Sequence, residues 1–369
     1  MEIDEVKLRK DIFRLVNYLS RHEKASSMQE MDELRTLCQL YKELTGIDYV
    51  FDFFLNKKRV DHLYHQYDVV NANVFRDFCE MYFADLVRCA LKLEKSTDKN
   101  NEYYMQVAAN KLGKKMRYYN EKEFKEIILS YYAEYGDDIY NLVKEYFDNS
   151  RIGMGVWTEV SEAYFANSFL GGGYVANGHE DLSTYSLGGV VHELGHAIDY
   201  KKLYLNQGKK LSTISDTLLE TPAHFFELSL YEYLIKNHID IDYALLLIND
   251  SIFTDVSRLT PYKGIDVFDG IMNLDGEIVD EEGNLIYNLR DDIVYFLGTS
   301  IALNMMVRSK DNKKEFNSIL NDYLCGRKER TFEQSLETLG ISYEDFINGK
   351  YIKPYIKQRN KELIKRIND

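Results

Sequence analysis

The chain has 369 residues, 45% hydrophobic and 29% charged, the balance of a soluble globular protein with room for one elongated domain or two ordinary ones. Its formal net charge of −14 and pI of about 5.2 exclude nucleic-acid binding through phosphates, which needs a basic surface, and leave neutral or basic peptides open as ligands. No apolar run is long enough to cross a bilayer, and the N-terminal MEIDEVKLRKDIF lacks the uncharged core of a secretory signal, so no membrane partner and a cytoplasmic location are expected.

Residues 1–149 read as successive amphipathic helices, among them Val6–Leu19, Met31–Leu44, Val74–Leu93 and Glu121–Phe147, broken by polar stretches such as KSTDKNN. Such a half is a scaffold or lid. Cys38, Cys79, Cys89 and Cys325 lie far apart with no CxxC spacing, the pattern of reduced, mostly buried thiols rather than a disulfide frame. Only Pro222, Pro261 and Pro354 interrupt the chain, which again indicates a mainly α fold. The thirty tyrosines are expected in core or groove positions with their hydroxyls at a wet edge.

The texture changes at Ser150. Gly153, Gly155, Gly171, Gly172, Gly173 and Gly178 cluster, and VWTEV and GYVAN have extended character, so a small β element with an exposed edge is expected. Asp181 or Ser183 can cap a helix running to about Tyr200, and a second long helix is expected from about Ser212 to Lys236. After Pro261 the acidic stretch NLDGEIVDEEGNL reads as a hairpin around Asp275–Gly276; its acids lack calcium-loop spacing. Helices resume at about Leu289. Residues 150–369 carry the chemistry, in what reads as one continuous fold with the first half.

That chemistry centres on GGVVHELGHAIDY, Gly188–Tyr200. On a helix, His192 and His196 share one face one turn apart and can present two imidazoles to one zinc ion. Glu193, rotated by about 100° from His192, is poorly placed as a ligand but can reach a water on the ion and act as its base. Val190, Val191, Leu194, Ala197 and Ile198 form an apolar face that would bury the helix, and a buried helix with two satisfied histidines is the competing reading. A third ligand is available in LLETPAHFFELSL. Glu220, 24 residues after His196, would stand beside the histidines if the two helices pair antiparallel. Glu227, two turns along the same face, is the candidate partner of a ligating histidine. His224 is the rival third ligand.

HELGH followed at this distance by ETPAHFFE is similar to the thimet oligopeptidase and oligoendopeptidase F family of zinc peptidases, which carry HExGH and then a glutamate ligand on a later helix. DDIVYFLGTSIALNM resembles the family's Tyr-x-x-Gly helix, and YNEKEFKEIILSYYAEYGDDIYNLVKEYFDN resembles the helices before the family's β element; residues 118 to 310 fit in all. The resemblance implies a helical ellipsoid with a deep substrate channel, a small β element near the zinc site, and one zinc per chain. It also implies that Tyr295 donates a hydrogen bond to the tetrahedral intermediate, with Tyr287 as a second tyrosine. Core packing is the plain alternative for Tyr295. Several features depart from the pattern. The chain is shorter than family members at its N-terminal side. Asp199 stands where the family commonly has a histidine, one turn past the second ligand, as an outer partner of the site. No histidine lies near Tyr287. His179, in the glycine-rich loop, is either a substitute for it or a surface residue.

The function expected is a zinc-dependent endopeptidase acting on short unfolded peptides. Tyr174 and His179 are candidate substrate contacts, because GGGYVANG can offer an edge strand to an extended peptide or form a plain loop. A zinc carboxypeptidase or dipeptidase of a related helical fold, a peptide-binding relative without turnover, and a dedicated maturation peptidase remain as alternatives.

Overall fold

A computed structural model describes residues 57–97, 101–149, 151–154, 163–166, 174–177, 179, 181–207, 216–265, 271–272, 277–279, 285–310, 313–326 and 330–369, together with scattered positions between 8 and 41. The fold is mainly α, with two small sheets. The expected helices Val6–Leu19 and Met31–Leu44, the stretch VWTEV and the turn Asp275–Gly276 lie largely or wholly outside the described residues. The chain divides into two compact units: 1–62 with 118–201, and 63–117 with 202–369. The change of texture at Ser150 falls inside the first.

In the first unit, helices α3 (Glu121–Tyr132) and α4 (Asp137–Asp148) stand where the sequence suggested one long helix. The break is Gly136, with φ 101° and ψ 164°, a conformation that a side chain makes costly. Asn120 closes the start of α3 with a capping box through Glu123. A three-stranded sheet follows, in the order β1 (Ile152–Met154), β3 (Tyr174–Asn177), β2 (Ala163–Ala166), with β1 parallel and β2 antiparallel to β3. GYVAN therefore supplies the middle strand, not an edge. Its backbone groups face a neighbour on each side, which removes the expected strand addition at Tyr174–Asn177.

Helix α5 (Thr184–Gln207) carries the HELGH run. Of the two suggested caps, Ser183 is the one used: its hydroxyl accepts from the Ser186 amide at 3.2 Å. Asp181 supports it by accepting from the Ser186 hydroxyl at 2.8 Å. The helix is anchored by its buried face, Leu187, Val190, Val191, Leu194, Ala197 and Ile198. The Tyr132 hydroxyl donates to the Val191 carbonyl at 3.1 Å, and that of Tyr119 pairs with Thr184 at 2.9 Å.

The second unit contains α2 (Asn101–Leu112), α6 (Glu220–Lys236), α7 (Ile241–Ser257), α8 (Leu289–Ser309), α9 (Lys313–Gly326), α10 (Phe332–Thr338), α11 (Tyr343–Ile347) and α12 (Ile352–Asn368). Most of α1 (Lys57–Glu94) belongs to it as well. The antiparallel meander β4 (Ile271–Met272), β5 (Glu277–Val279), β6 (Leu285–Asn288) extends the expected hairpin by a strand. Helix α6 begins at Glu220, after a 3-10 turn at Asp216–Leu218, and the expected start at Ser212 lies outside the described residues. Pro222 explains the shift. A proline is tolerated in a first turn, where its missing N–H has no intrahelical partner, but it would break a helix begun ten residues earlier. Helix α8 is buried without interruption from Phe296 to Met306, and its contact with α6 is the most extensive helix pairing among the described residues.

The tyrosines differ from expectation in where their hydroxyls go. Tyr82, Tyr231, Tyr262, Tyr343 and Tyr355 donate to the carboxylates of Glu333, Glu227, Asp292, Asp85 and Glu232, so these hydroxyls are bonded within the protein. Cys79 and Cys89 are buried free thiols, both pushed up to about 12, chiefly by burial. Among the described residues no helix is long and apolar enough to cross a membrane.

Gly136 offers a test of the α3–α4 break. A methyl group there meets only Asp138 Oδ1 at 3.5 Å, so the cost of Gly136→Ala is one of backbone conformation. The substitution is expected to lower unfolding free energy by about 1–3 kcal/mol in urea titrations. Gly113→Ala, where nothing lies within 4 Å, is expected to leave stability unchanged or slightly raised.

Candidate metal centre

Helix α5 exposes one stripe. From Tyr185 to Tyr200, the positions that reach solvent are Tyr185, Gly189, His192 and His196, while the rest are buried. These are spaced by four, three and four residues, a single face of an α-helix. The two imidazoles are neighbours on it, ring centroids 5.0 Å apart and inclined at 76°. Glu193 is buried at 6% exposure, just off the stripe, as the helical rotation requires. Asp199 is buried on the same helix at 2% exposure.

His179 stands at the other end of the stripe. Its amide donates to Asn177 Oδ1 at 2.8 Å, and its ring meets that of Tyr185 edge-on at 5.2 Å. It is thus a half-buried residue packed on the HELGH helix, not a free loop residue. Tyr174 and Tyr287 are placed by backbone alone, paired with Ala166 in the first sheet and Ile278 in the second.

In the second unit, α6 and α8 pack closely. Gly298 lets them approach: a Cβ built there would lie 2.7 Å from His224 Cδ2 and 2.8 Å from Glu220 Cβ. That contact holds Glu220, half-exposed in the first turn of α6, and His224, one turn on, against the stretch of α8 that carries Tyr295. The rings of His224 and Tyr295 meet edge-on at 5.7 Å. Glu227 accepts from the Tyr231 hydroxyl at 3.0 Å and lies 3.9 Å from His224 Nδ1.

Sequence reasoning missed the polar chain behind His224 and Tyr295. The Thr299 hydroxyl donates to Asp255 Oδ2 at 2.5 Å and lies 3.3 Å from His224 Nδ1. With its hydrogen spent on Asp255, the Thr299 oxygen is left as acceptor, which favours the proton on Nδ1 and the lone pair on Nε2. Arg258 donates to Asp255 Oδ1 at 3.2 Å and Asp292 Oδ1 at 3.4 Å, and its guanidinium sits 4.6 Å from the Tyr295 ring centre. Tyr262 donates to the other Asp292 oxygen at 2.7 Å. These residues come from α7, the turn after it and α8. No short motif joins them in sequence; the one signal is that Asp292, Tyr295 and Thr299 recur at helical spacing.

Burial, and then the carboxylates of Glu220 and Asp291, push the Tyr295 phenol above its ordinary range, so its hydroxyl stays a donor across physiological pH. Burial and the adjacent Asp292 also raise Asp291. Burial pulls Arg258 down, but Asp255 and Asp292 outweigh it and keep the guanidinium charged.

No protein-family model matches the sequence, and no curated protein matches it. Among solved structures, the chain is similar to a candidate peptidase from Chlamydophila abortus, with TM-score 0.54 and 16% identity over 81% of this chain. The match spans 62% of that protein's length. A candidate oligoendopeptidase F from Bacillus anthracis and PZ peptidase A with an inhibitor give TM-scores of 0.48 at 12% and 11% identity. They cover 100% and 98% of this chain and 76% of each of theirs. The first likeness shows a shared fold.

The close approach at Gly298 generates a direct test. Gly298→Ala is expected to cost about 1–3 kcal/mol of stability through overpacking against backbone-anchored atoms of α6, read as a lowered urea midpoint. An unchanged midpoint would mean that α6 and α8 separate freely.

Proposed function

We propose that the chain is a zinc-dependent endopeptidase of the oligoendopeptidase F kind, acting on internal bonds of short unfolded peptides. His192, His196 and Glu220 hold one ion. The observation that carries this reading is that, from Tyr185 to Tyr200, the helix is buried on every face except the one bearing the HExxH imidazoles. A helix kept only for packing would not leave two histidines, one turn apart, as its accessible stripe.

The donor set fits zinc. Two imidazoles on one helix face, ring centroids 5.0 Å apart, with one carboxylate form a set that such an ion takes when it keeps a position for water. Glu220 is taken as the third ligand over His224 because Glu220 is half-exposed, whereas His224 is buried.

Zinc held there would supply a more acidic water and polarise the carbonyl to be attacked. The chain's own residues do the rest. Glu193 takes the proton of the attacking water and returns it to the leaving nitrogen. Tyr295 donates to the oxygen that gains charge, and its raised pKa keeps that proton in place. A donor so aimed typically lowers a barrier by roughly 3–4 kcal/mol. Glu227 lies 3.9 Å from the His224 imidazole, and Asp199 lies on the buried side of the histidine helix. His179 is the candidate substrate contact, through its packing on Tyr185 at the open end of the stripe.

Internal cleavage is preferred to carboxypeptidase or dipeptidase action because Arg258, a cation beside Tyr295, is already shared by Asp255 and Asp292 and is not offered to a substrate carboxylate. Glu193 weighs against a binder without turnover, which needs no base beside the ion.

Purified protein is expected to carry one zinc per chain by elemental analysis. Glu193→Gln should keep the zinc and lower hydrolysis of a mixed peptide library by about 10²–10⁴-fold, the usual worth of a general base. Glu220→Gln should lose the metal, and retained zinc would remove Glu220 from the ligand set. Chelation should abolish activity and added zinc restore it. A peptide amidated at its C-terminus should still be cut internally; its survival beside a cleaved free-acid twin would assign the chain to the carboxypeptidases.

A further inference from the structure

We propose that Arg258 is a positioning residue that fixes the Tyr295 ring, an inference that rests on the peptidase reading for its catalytic consequence. A phenol on a helix surface can turn about two side-chain torsions, and a donor that swings cannot hold its hydrogen where charge develops. Tyr295 is confined on two sides. The His224 ring meets it edge-on, and the Arg258 guanidinium lies over it at 4.6 Å. A flat cation on an aromatic face is attracted by the ring's electron density and blocks its rotation.

Arg258 is itself held. It follows the last residue of α7, its Nε bonds Asp255, and its outer nitrogen bonds Asp292, one helical turn before Tyr295 on α8. It therefore grips α8 at two points three residues apart, one carboxylate and one ring. Tyr262 occupies the second Asp292 oxygen and Thr299 the second Asp255 oxygen, so neither carboxylate can turn away without losing a partner. The proton on Tyr295 is not moved by this device; its direction is set. A lysine keeps the charge but lacks the planar fork that makes two bonds and stacks at once.

The test joins a spectroscopic and a kinetic arm. With 3-fluorotyrosine placed at position 295, the full chain should show a single narrow fluorine line, which Arg258→Met shifts and broadens. An unchanged line overturns the inference. In peptide hydrolysis, Arg258→Met should lower kcat about tenfold with KM within about twofold, and Arg258→Lys should recover only part of the loss. In a Tyr295→Phe background, Arg258→Met should cost nothing further; an equal loss there would make Arg258 a general structural residue and overturn its role. If the parent chain hydrolyses no peptide, the peptidase reading fails, and the fluorine line alone decides whether Arg258 holds the ring.

Discussion

The absent side chain at Gly298 is the constraint on which the packing of α6 against α8 depends. Two helices normally keep axes 8–10 Å apart because side chains fill the space between them. Here a glycine on α8 faces Glu220 and His224 on α6 at distances no Cβ would tolerate. The consequence is local and chemical. The Glu220 carboxylate, the His224 ring and the Tyr295 phenol come to one surface because their backbones are close, not because long side chains reach for one another. Short, buried tethers lose little conformational freedom and hold geometry well, which a site for charge development requires.

Helix α5 solves a different problem. It must bury an apolar face firmly while leaving two imidazoles wet. Its sequence does so by periodicity: Leu187, Val190, Val191, Leu194, Ala197 and Ile198 face inward, and Gly189, His192 and His196 face out. Ser183 and Asp181 fix where the helix begins, and Tyr132 and Tyr119 bind its first turns from α3 and its approach. Any slip of one residue would rotate the histidines by about 100° into the core, so the cap and the tyrosine contacts set the register of the stripe.

Much of this was legible in the sequence, for identifiable reasons. HELGH states its own geometry, because helical spacing alone places two histidines on a face and the glutamate beside them. The helices after Leu289 and the cap at Ser183 follow from periodicity and capping chemistry. What failed was what depends on a neighbour. GYVAN looked like an edge strand, yet two further segments pair with it, and pairing cannot be read from one strand's residues. Glu121–Phe147 looked like one helix because its apolar period continues through Gly136, whose backbone conformation carries no sequence period. The second helix looked longer because the pattern ran back through the turn before Glu220. Asp255, Arg258 and Thr299 were invisible for the same reason as the strand order, since α7 and α8 meet only in three dimensions.

Charge links the polar chain to the proposed ion. The wall formed by α6, α7 and α8 carries Glu220, Glu227, Asp255, Asp291 and Asp292, and Arg258 offsets only part of that charge. The repulsion is visible in what it does: burial and Asp292 raise Asp291, and Glu220 and Asp291 add to the burial that raises Tyr295. Two like charges about 4 Å apart cost roughly 4 kcal/mol at an effective dielectric constant near 20, too much to leave unbalanced in a half-buried wall. Asp255 and Asp292 are balanced by Arg258 and by hydroxyl donors. A divalent ion at Glu220 would relieve the remainder, and it would draw that carboxylate's field away from Tyr295, easing the phenol toward donation. Arg258 thus neutralises the inner carboxylates, Asp255 and Asp292, and leaves Glu220, half-exposed at the start of α6, without that cation.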